Sequence, residues 1–257
     1  MSVTINYKVY GEGEPVIILH GLFGTLDNWQ TFAKRLAEHY MVYVIDQRDH
    51  GKSSHTDEFN YQLLADDLAT FMESQWIHEA RLIGHSMGGK TVMQFAEDHT
   101  DMVEQMVVVD IAPVAYEPGH NTIFEALLAV NIDKVESRGE VEAVLGQYIA
   151  DQGVRLFLMK NLKRKKEGGF EWKMNLPLLH REYPNIISNV AGDAEVDVDC
   201  LFVGGGKSKY IDKNASDTIA KKYSNSKLVM IPEAGHWIHA EQPDKLYQLV
   251  TEYFDGN

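Results

Sequence analysis

Cysteine is almost missing from this chain: Cys200 is the only one in 257 residues. A single thiol excludes an internal disulfide and any cysteine-rich metal centre. It falls in the apolar run Cys200-Leu201-Phe202-Val203, where a small buried core residue is expected rather than a reactive thiol. Long apolar runs are lacking too. None approaches the roughly 20 residues of a membrane-spanning helix, so no membrane partner is expected. The stretch MSVTINYKVYGEGEP has no basic segment leading into an apolar core and alternates as a strand does. With no secretion signal visible, the expected location is cytoplasmic. Positive charge is also short. The 24 Lys and Arg stand against 38 Asp and Glu, a formal net charge of −14, which argues against a nucleic-acid partner.

What is present reads as an ordinary soluble α/β protein, with 44% apolar and 24% charged residues. The length suits one large domain, or a domain with a modest insertion. PVIIL (15–19), MVYVI (41–45), ARLI (80–83) and MVVV (106–109) are nearly continuous in apolar character, as strands covered on both faces are. Between them Trp29, Phe32 and Leu36 share one helical face, and Leu64, Leu68, Phe71 and Met72 another. This βαβα order predicts a mostly parallel sheet with right-handed crossovers. The alternation stops at about Ile111. From there to Asp197 the pattern is helical, with no convincing strand and a capping box at Ser137-x-x-Glu140. Two strand signals (201–203, 228–231) and a helix carrying Leu246, Leu249 and Phe254 close the chain. The predicted organisation is a sheet core over 1–110 and 198–257, interrupted by a helical lid over 111–197.

Residues 83–92, IGHSMGGKTV, satisfy two motifs at once. Gly84, Gly89, Lys90 and Thr91 spell G-x-x-x-x-G-K-T, a phosphate-cradling loop. Gly84, Ser86 and Gly88 spell G-x-S-x-G, the elbow that presents a nucleophilic serine. The first reading has a possible partner in the strand-end Asp110 of MVVVD. The second accounts for more of the chain. A serine nucleophile needs two N–H donors for the oxyanion; Met87 follows the serine, and Leu22 lies in HGLFG (20–24) just after the PVIIL strand. It also needs a late histidine, and His236 stands in GHWIHAEQP (235–243). Ser86, Asp110 and His236 then form a serine-acid-histidine order along the chain.

These motifs resemble the α/β-hydrolase superfamily, and DQRDHGKSS (46–54) is similar to its D-x-R-G-x-G-x-S loop. GHSMGGKTVMQFA followed by VVVDIAPVAY looks most like the YbfF-type bacterial esterases, a lidded branch acting on acyl esters and acyl-CoA thioesters. The resemblance implies an α/β-hydrolase fold with an eight-stranded, mostly parallel sheet and a lid after the sixth strand. It also implies a metal-independent acyl-enzyme mechanism with no cofactor and a small-molecule substrate, in a monomer or dimer. Related folds run lyase reactions with the same three residues, which is the alternative activity. One departure stands out. Where the superfamily commonly carries an acid in a G-x-x-D pattern, this chain has Gly205-Gly206-Lys207-Ser208. Asp110 is the expected substitute, with Asp212 as runner-up.

Other candidates carry two readings each. His20 is expected to shape its loop, His85 to pack beside the elbow, and His239 either to fill the core or to orient the base. Asp46, Asp49, His50 and His55 look superficially like metal ligands, but a loop held by Arg48 and neighbouring carboxylates is expected, with no metal. The basic run Lys160, Lys163, Arg164, Lys165, Lys166 is either a solvated face or a dock for coenzyme A phosphates. Phe23, Trp172 and Trp237 are candidate substrate contacts. Trp172 with Phe157, Leu158, Leu162, Leu176 and Leu179 either lines an acyl channel or forms the lid's own core.

Overall fold

In the computed structural model, which describes residues 3–190, 192 and 195–256, each apolar run becomes a strand followed by its helix. The order is β1 (Asn6–Tyr10), β2 (Pro15–Leu19), α1 (Gln30–Leu36), β3 (Met41–Asp46), α2 (Tyr61–Ser74), β4 (Ala80–His85), α3 (Met87–Asp98) and β5 (Val103–Val109). An insertion follows, made of α4 (Asn121–Ala129), α5 (Arg138–Tyr148), α6 (Gln152–Met159), β6 (Leu162–Arg164), β7 (Phe170–Trp172), α7 (Leu176–Arg181) and α8 (Tyr183–Ile187). The sheet resumes with β8 (Cys200–Gly205), α9 (Lys213–Lys222) and β9 (Ser226–Ile231), before α10 (Ile238–Glu241) and α11 (Pro243–Phe254).

Among the described residues the main sheet has seven strands in the order β1-β3-β2-β4-β5-β8-β9, rather than the eight expected. Only β1 runs antiparallel, against β3. The insertion therefore follows the fifth strand and not the sixth. Strand alternation sends Ile17 and Leu19 into one apolar cluster with α2 and α3, and Val16 and Ile18 into another with α1 and α11. The sheet is thereby covered on both faces, as its unbroken apolar strands require.

The insertion is not purely helical: β6 and β7 pair as an antiparallel hairpin, with Lys163 opposite Glu171. Three-residue strands leave too little alternation to read from sequence. Leu158, Leu162, Leu176 and Leu179 are buried in the same cluster as the sheet's α2–α3 face, so they are core and not channel. Ser137 caps α5 as expected, accepting from Glu140 N at 3.2 Å. No helix among the described residues is long and apolar enough to cross a membrane.

Candidate active site

The strand-to-helix turn between β4 and α3 puts Ser86 at φ 52°, ψ −117°, a conformation most residues avoid. Packing holds it there. Ser86 N donates to Val109 O at 3.0 Å, tying the turn to β5. A side chain at Gly84 would place its Cβ 2.3 Å from Gly88 O, and one at Gly88 would come within 2.4 Å of Leu19 O. Both glycines are thus required by the close approach of α3 to the strands.

This geometry separates the two overlapping motifs. Lys90, in the first turn of α3, does more than extend the helix. Its buried Nζ donates to Val114 O at 2.9 Å, Ile187 O at 3.4 Å and Ser188 O, joining the two ends of the insertion. Burial without a counter-charge pulls that ammonium down to about 7. Thr91 Oγ1 donates to Gln47 Oε1 at 2.8 Å. Both side chains a phosphate loop would use are spent inside the protein.

His236 lies in the loop between β9 and α10, where Glu241 accepts from Gly235 N at 2.7 Å and Trp237 N at 3.1 Å and so braces both neighbours. Its Nδ1 donates to Asp110 Oδ2 at 2.7 Å. Asp110 follows β5 directly, is fully buried, and is fixed by Asp110 N donating to Val203 O at 2.8 Å. Its Oδ1 accepts from Gly205 N at 2.8 Å, and Oδ2 accepts from Ser208 Oγ as well as from the imidazole. A buried carboxylate with three donors keeps its charge stabilised. Ser208, standing where an aspartate is common, has become a donor to the displaced acid. The His236 ring also stacks on Tyr210, with centroids 4.1 Å apart and planes at 23°. His85 Nε2 donates to His236 O at 2.9 Å. His239 stacks on Trp29 at 4.4 Å and meets His85 edge-on, which gives it a packing role.

The runner-up acid sits elsewhere. Asp212 is the N-cap of α9, with Oδ1 accepting from Ala215 N at 2.8 Å. Asp212→Ala is expected to cost about 1 kcal/mol of stability through the lost cap, while kcat stays within roughly tenfold. Denaturant midpoints beside steady-state kinetics would separate the two effects; a large drop in kcat would return this residue to the site.

The HGLFG loop is pinned from several sides. His20 Nδ1 donates to Gly21 O at 2.8 Å and its Nε2 accepts from Gln47 N at 3.1 Å. His50 Nδ1 donates to Arg48 O at 3.0 Å and its Nε2 accepts from Phe23 N at 3.3 Å. Asn161, reaching down from the insertion, donates to Phe23 O at 2.6 Å. Phe23 N–H is therefore engaged. Met87 N–H belongs to the first residue of α3, where helical geometry supplies no partner. The residues that looked like metal ligands do loop-building work instead. Asp46 accepts from Leu26 N and Lys52 N, and Asp49 accepts from Thr56 N and Asn175 Nδ2. His55 Nε2 donates to Lys173 O at 3.0 Å. Arg48 takes a two-point grip on Asp67 of α2, at 2.6 and 2.8 Å.

Burial holds His20 down at about 4 and His50 at about 3, so both are neutral in the fold. The unfolded chain binds protons at these positions below about pH 6.5. Their contribution is therefore complete above that pH and is lost as pH falls toward the folded values. At pH 5 each is expected to remove about 2 kcal/mol of stability. Thermal melts between pH 7 and 5 would read this as a falling Tm, with a shallower fall in His20→Gln; a flat profile would sink the prediction.

A cavity at the nucleophile is lined by Ser86, His236, Leu22, Phe23, Trp237 and Phe157 among others. The structure thus brings the expected nucleophile, base and oxyanion loop to one space, with Asp110 behind the base. Phe23 and Trp237 stand in its wall. Trp172, Lys163 and Arg164 are placed elsewhere, on the β6–β7 hairpin: Trp172 packs against the core and Lys163 pairs with Glu171 at 2.7 Å. Cross-strand pairing engages Lys163, one of the five cations in the run that suggested a phosphate dock.

Residues 14–243 match the α/β hydrolase fold family. The chain is 35% identical over 242 residues to Esterase YbfF of Escherichia coli, spanning 94% of this chain and 93% of that protein. It is 32% identical to mouse "sn-1-specific diacylglycerol lipase ABHD11", over 93% of this chain and 80% of the relative. A solved "Marine microorganism esterase" superposes with a TM-score of 0.95 at 41% identity, covering 98% of this chain and 99% of the other. With the strained serine turn, the late histidine and the sheet order already in place, these likenesses make the chain a member of the α/β-hydrolase fold family, similar to the YbfF esterases.

Proposed function

We propose that the protein hydrolyses carboxylic esters through an acyl-enzyme on Ser86. The observation that carries this reading is the 2.7 Å bond from His236 Nδ1 to the buried Asp110, with His236 and Ser86 opening on one cavity. The bond fixes the imidazole tautomer, leaving Nε2 unprotonated and free to act as a base. Ser86 Oγ attacks the acyl carbon as its proton passes to His236. The oxyanion is held by the N–H groups of Met87 and Leu22. Collapse breaks the carbon–oxygen bond to the leaving alcohol, which takes the proton from the imidazolium. Water then repeats the sequence and frees the acid. Asp110 supplies the counter-charge to the imidazolium in both halves. Every step uses side chains or backbone of this chain.

Oxygen esters are the favoured class. The thioester expectation came from the YbfF-type resemblance and from the basic run, and within that run Lys163 pairs with Glu171. Named relatives are esterases and a lipase, in keeping with this preference. The test is a fluorophosphonate adduct mapped by mass spectrometry, followed by matched panels of oxygen esters and acyl-CoA thioesters. The reading requires the adduct on Ser86 and turnover of oxygen esters; labelling at another residue, or thioester turnover alone, would overturn it.

A further inference from the structure

We propose that His120 sets substrate preference by offering its Nε2–H to the substrate, so that the favoured esters carry a second acceptor oxygen close to the scissile carbonyl. This rests on the ester-hydrolase reading above. His120 lies in the insertion, immediately before α4, and its half-buried ring lines the space around Ser86. An ester whose carbonyl carbon meets Ser86 therefore lies beside this ring. Acyl transfer does not use it, since His236 is the base and Asp110 the acid.

The protons around Tyr183 fix what the ring presents. Tyr183 OH accepts from Gly119 N at 3.0 Å and from His120 N at 2.9 Å. Those two N–H groups fill both lone pairs of the phenol oxygen. His120 Nδ1 lies 2.9 Å from the same oxygen. A protonated Nδ1 would be a third donor to an oxygen with no lone pair left, so Tyr183 gives its own proton to Nδ1. Burial, reinforced by the neighbouring His236, holds the ring down at about 4 and keeps it neutral. A neutral imidazole that accepts at Nδ1 carries its proton on Nε2.

That Nε2–H has no hydrogen-bond partner among the described residues, and the packing around it does not wall it off. Two aromatic neighbours hold the plane of the ring: Tyr183 meets it at 84° with centroids 5.8 Å apart, and Phe23 at 66° and 6.3 Å. Ile123, Val154 and Ile186 line the same space and supply no acceptor from their side chains. A substrate that fills the space strips water from the N–H, and leaving a buried donor unpaired is costly. Esters that hand it an oxygen are then favoured over their hydrocarbon isosteres. Because the donor is uncharged, an ether, keto, hydroxyl or second ester oxygen serves. An ammonium group, with no lone pair, does not.

The test is an ester series in which an ether oxygen replaces one methylene at successive positions on either side of the scissile bond. Each kcat/KM is divided by the rate of hydroxide hydrolysis of the same ester, which removes differences in intrinsic reactivity. At a position near the carbonyl, wild type should favour the oxygen analogue by roughly tenfold. His120→Phe should bring that ratio to about one, while His120→Gln, which keeps an N–H donor, should retain most of it. Added salt should leave the wild-type ratio unchanged, since no charge is screened. In NMR spectra of histidine-labelled protein at neutral pH, the signals lost in His120→Gln should be those of an Nε2–H tautomer. The assignment is overturned by a ratio near one at every position, or by a preference that survives His120→Phe. It is equally overturned by a preference that His120→Gln loses as fully, by one that salt abolishes, or by an Nδ1–H tautomer. Failure of the ester-hydrolase reading looks different: Ser86→Ala would still turn over the series.

Discussion

Ser86→Ala is expected to lower kcat by about 10⁴-fold or more on any ester substrate and to abolish fluorophosphonate labelling, leaving what binding and the oxyanion donors provide alone. The substitution removes one oxygen from a residue that is 9% exposed, at a turn whose backbone is fixed by Val109 O and by contacts around Gly84 and Gly88. Folding should therefore survive, and the loss should fall on kcat. The matched control is Lys90→Met, which keeps the aliphatic stem and deletes the ammonium. Its chemistry should stay within roughly tenfold of wild type, since the lysine points at carbonyls of the insertion. Stability should drop by about 1–3 kcal/mol, because buried acceptors lose their donor. Kinetics and melting of the two variants thus move in opposite patterns. If Lys90→Met is dead and Ser86→Ala is active, the overlapping motif has been read the wrong way round.

That overlap shows where sequence suffices and where it stops. Nearly continuous apolar runs such as PVIIL and MVVV suit strands buried on two faces, and both became central strands of the sheet. G-x-S-x-G was legible because glycine is demanded by backbone clearance, which is a local property. The β6–β7 hairpin was not, since six residues carry no period and its charges pair across strands that are far less evident than their helical neighbours. The partners that steady the site are distant along the chain. Glu241 braces the His236 loop, Asn161 reaches Phe23 from the insertion, and Tyr210 stacks on the imidazole. None has a spacing rule that announces it. Ser208 was conspicuous as a missing acid; that it donates to the acid in use is a fact of tertiary geometry.

Asp110→Asn is expected to lower kcat by roughly 10³–10⁴-fold, by analogy with the acid of a serine protease. Asparagine is the right probe because Asp110 has φ 51°, and the amide tolerates that left-handed backbone better than alanine would. Its failure follows from the donors around the carboxylate. Gly205 N points at Oδ1, while Ser208 Oγ and His236 Nδ1 converge on Oδ2. An amide has one acceptor and one donor end. With NH₂ toward His236, the ring must turn its lone pair to Nδ1 and carry its proton on Nε2, where it cannot accept from the serine. With NH₂ toward Gly205, two N–H groups face each other in a buried site. Either orientation also leaves the imidazolium without a counter-charge. Adding Ser208→Asp should restore activity at least about tenfold over the single variant, because position 208 already meets the oxygen that the imidazole uses, and a carboxylate there gives the amide an acceptor. The pH dependence of kcat/KM should recover with it, as the base regains its partner. A fully active Asp110→Asn enzyme would mean that the acid lies elsewhere. An inactive Asp110→Asn/Ser208→Asp enzyme that still folds would mean that a carboxylate at 208 cannot face the imidazole, and that the serine is matched to Asp110 alone.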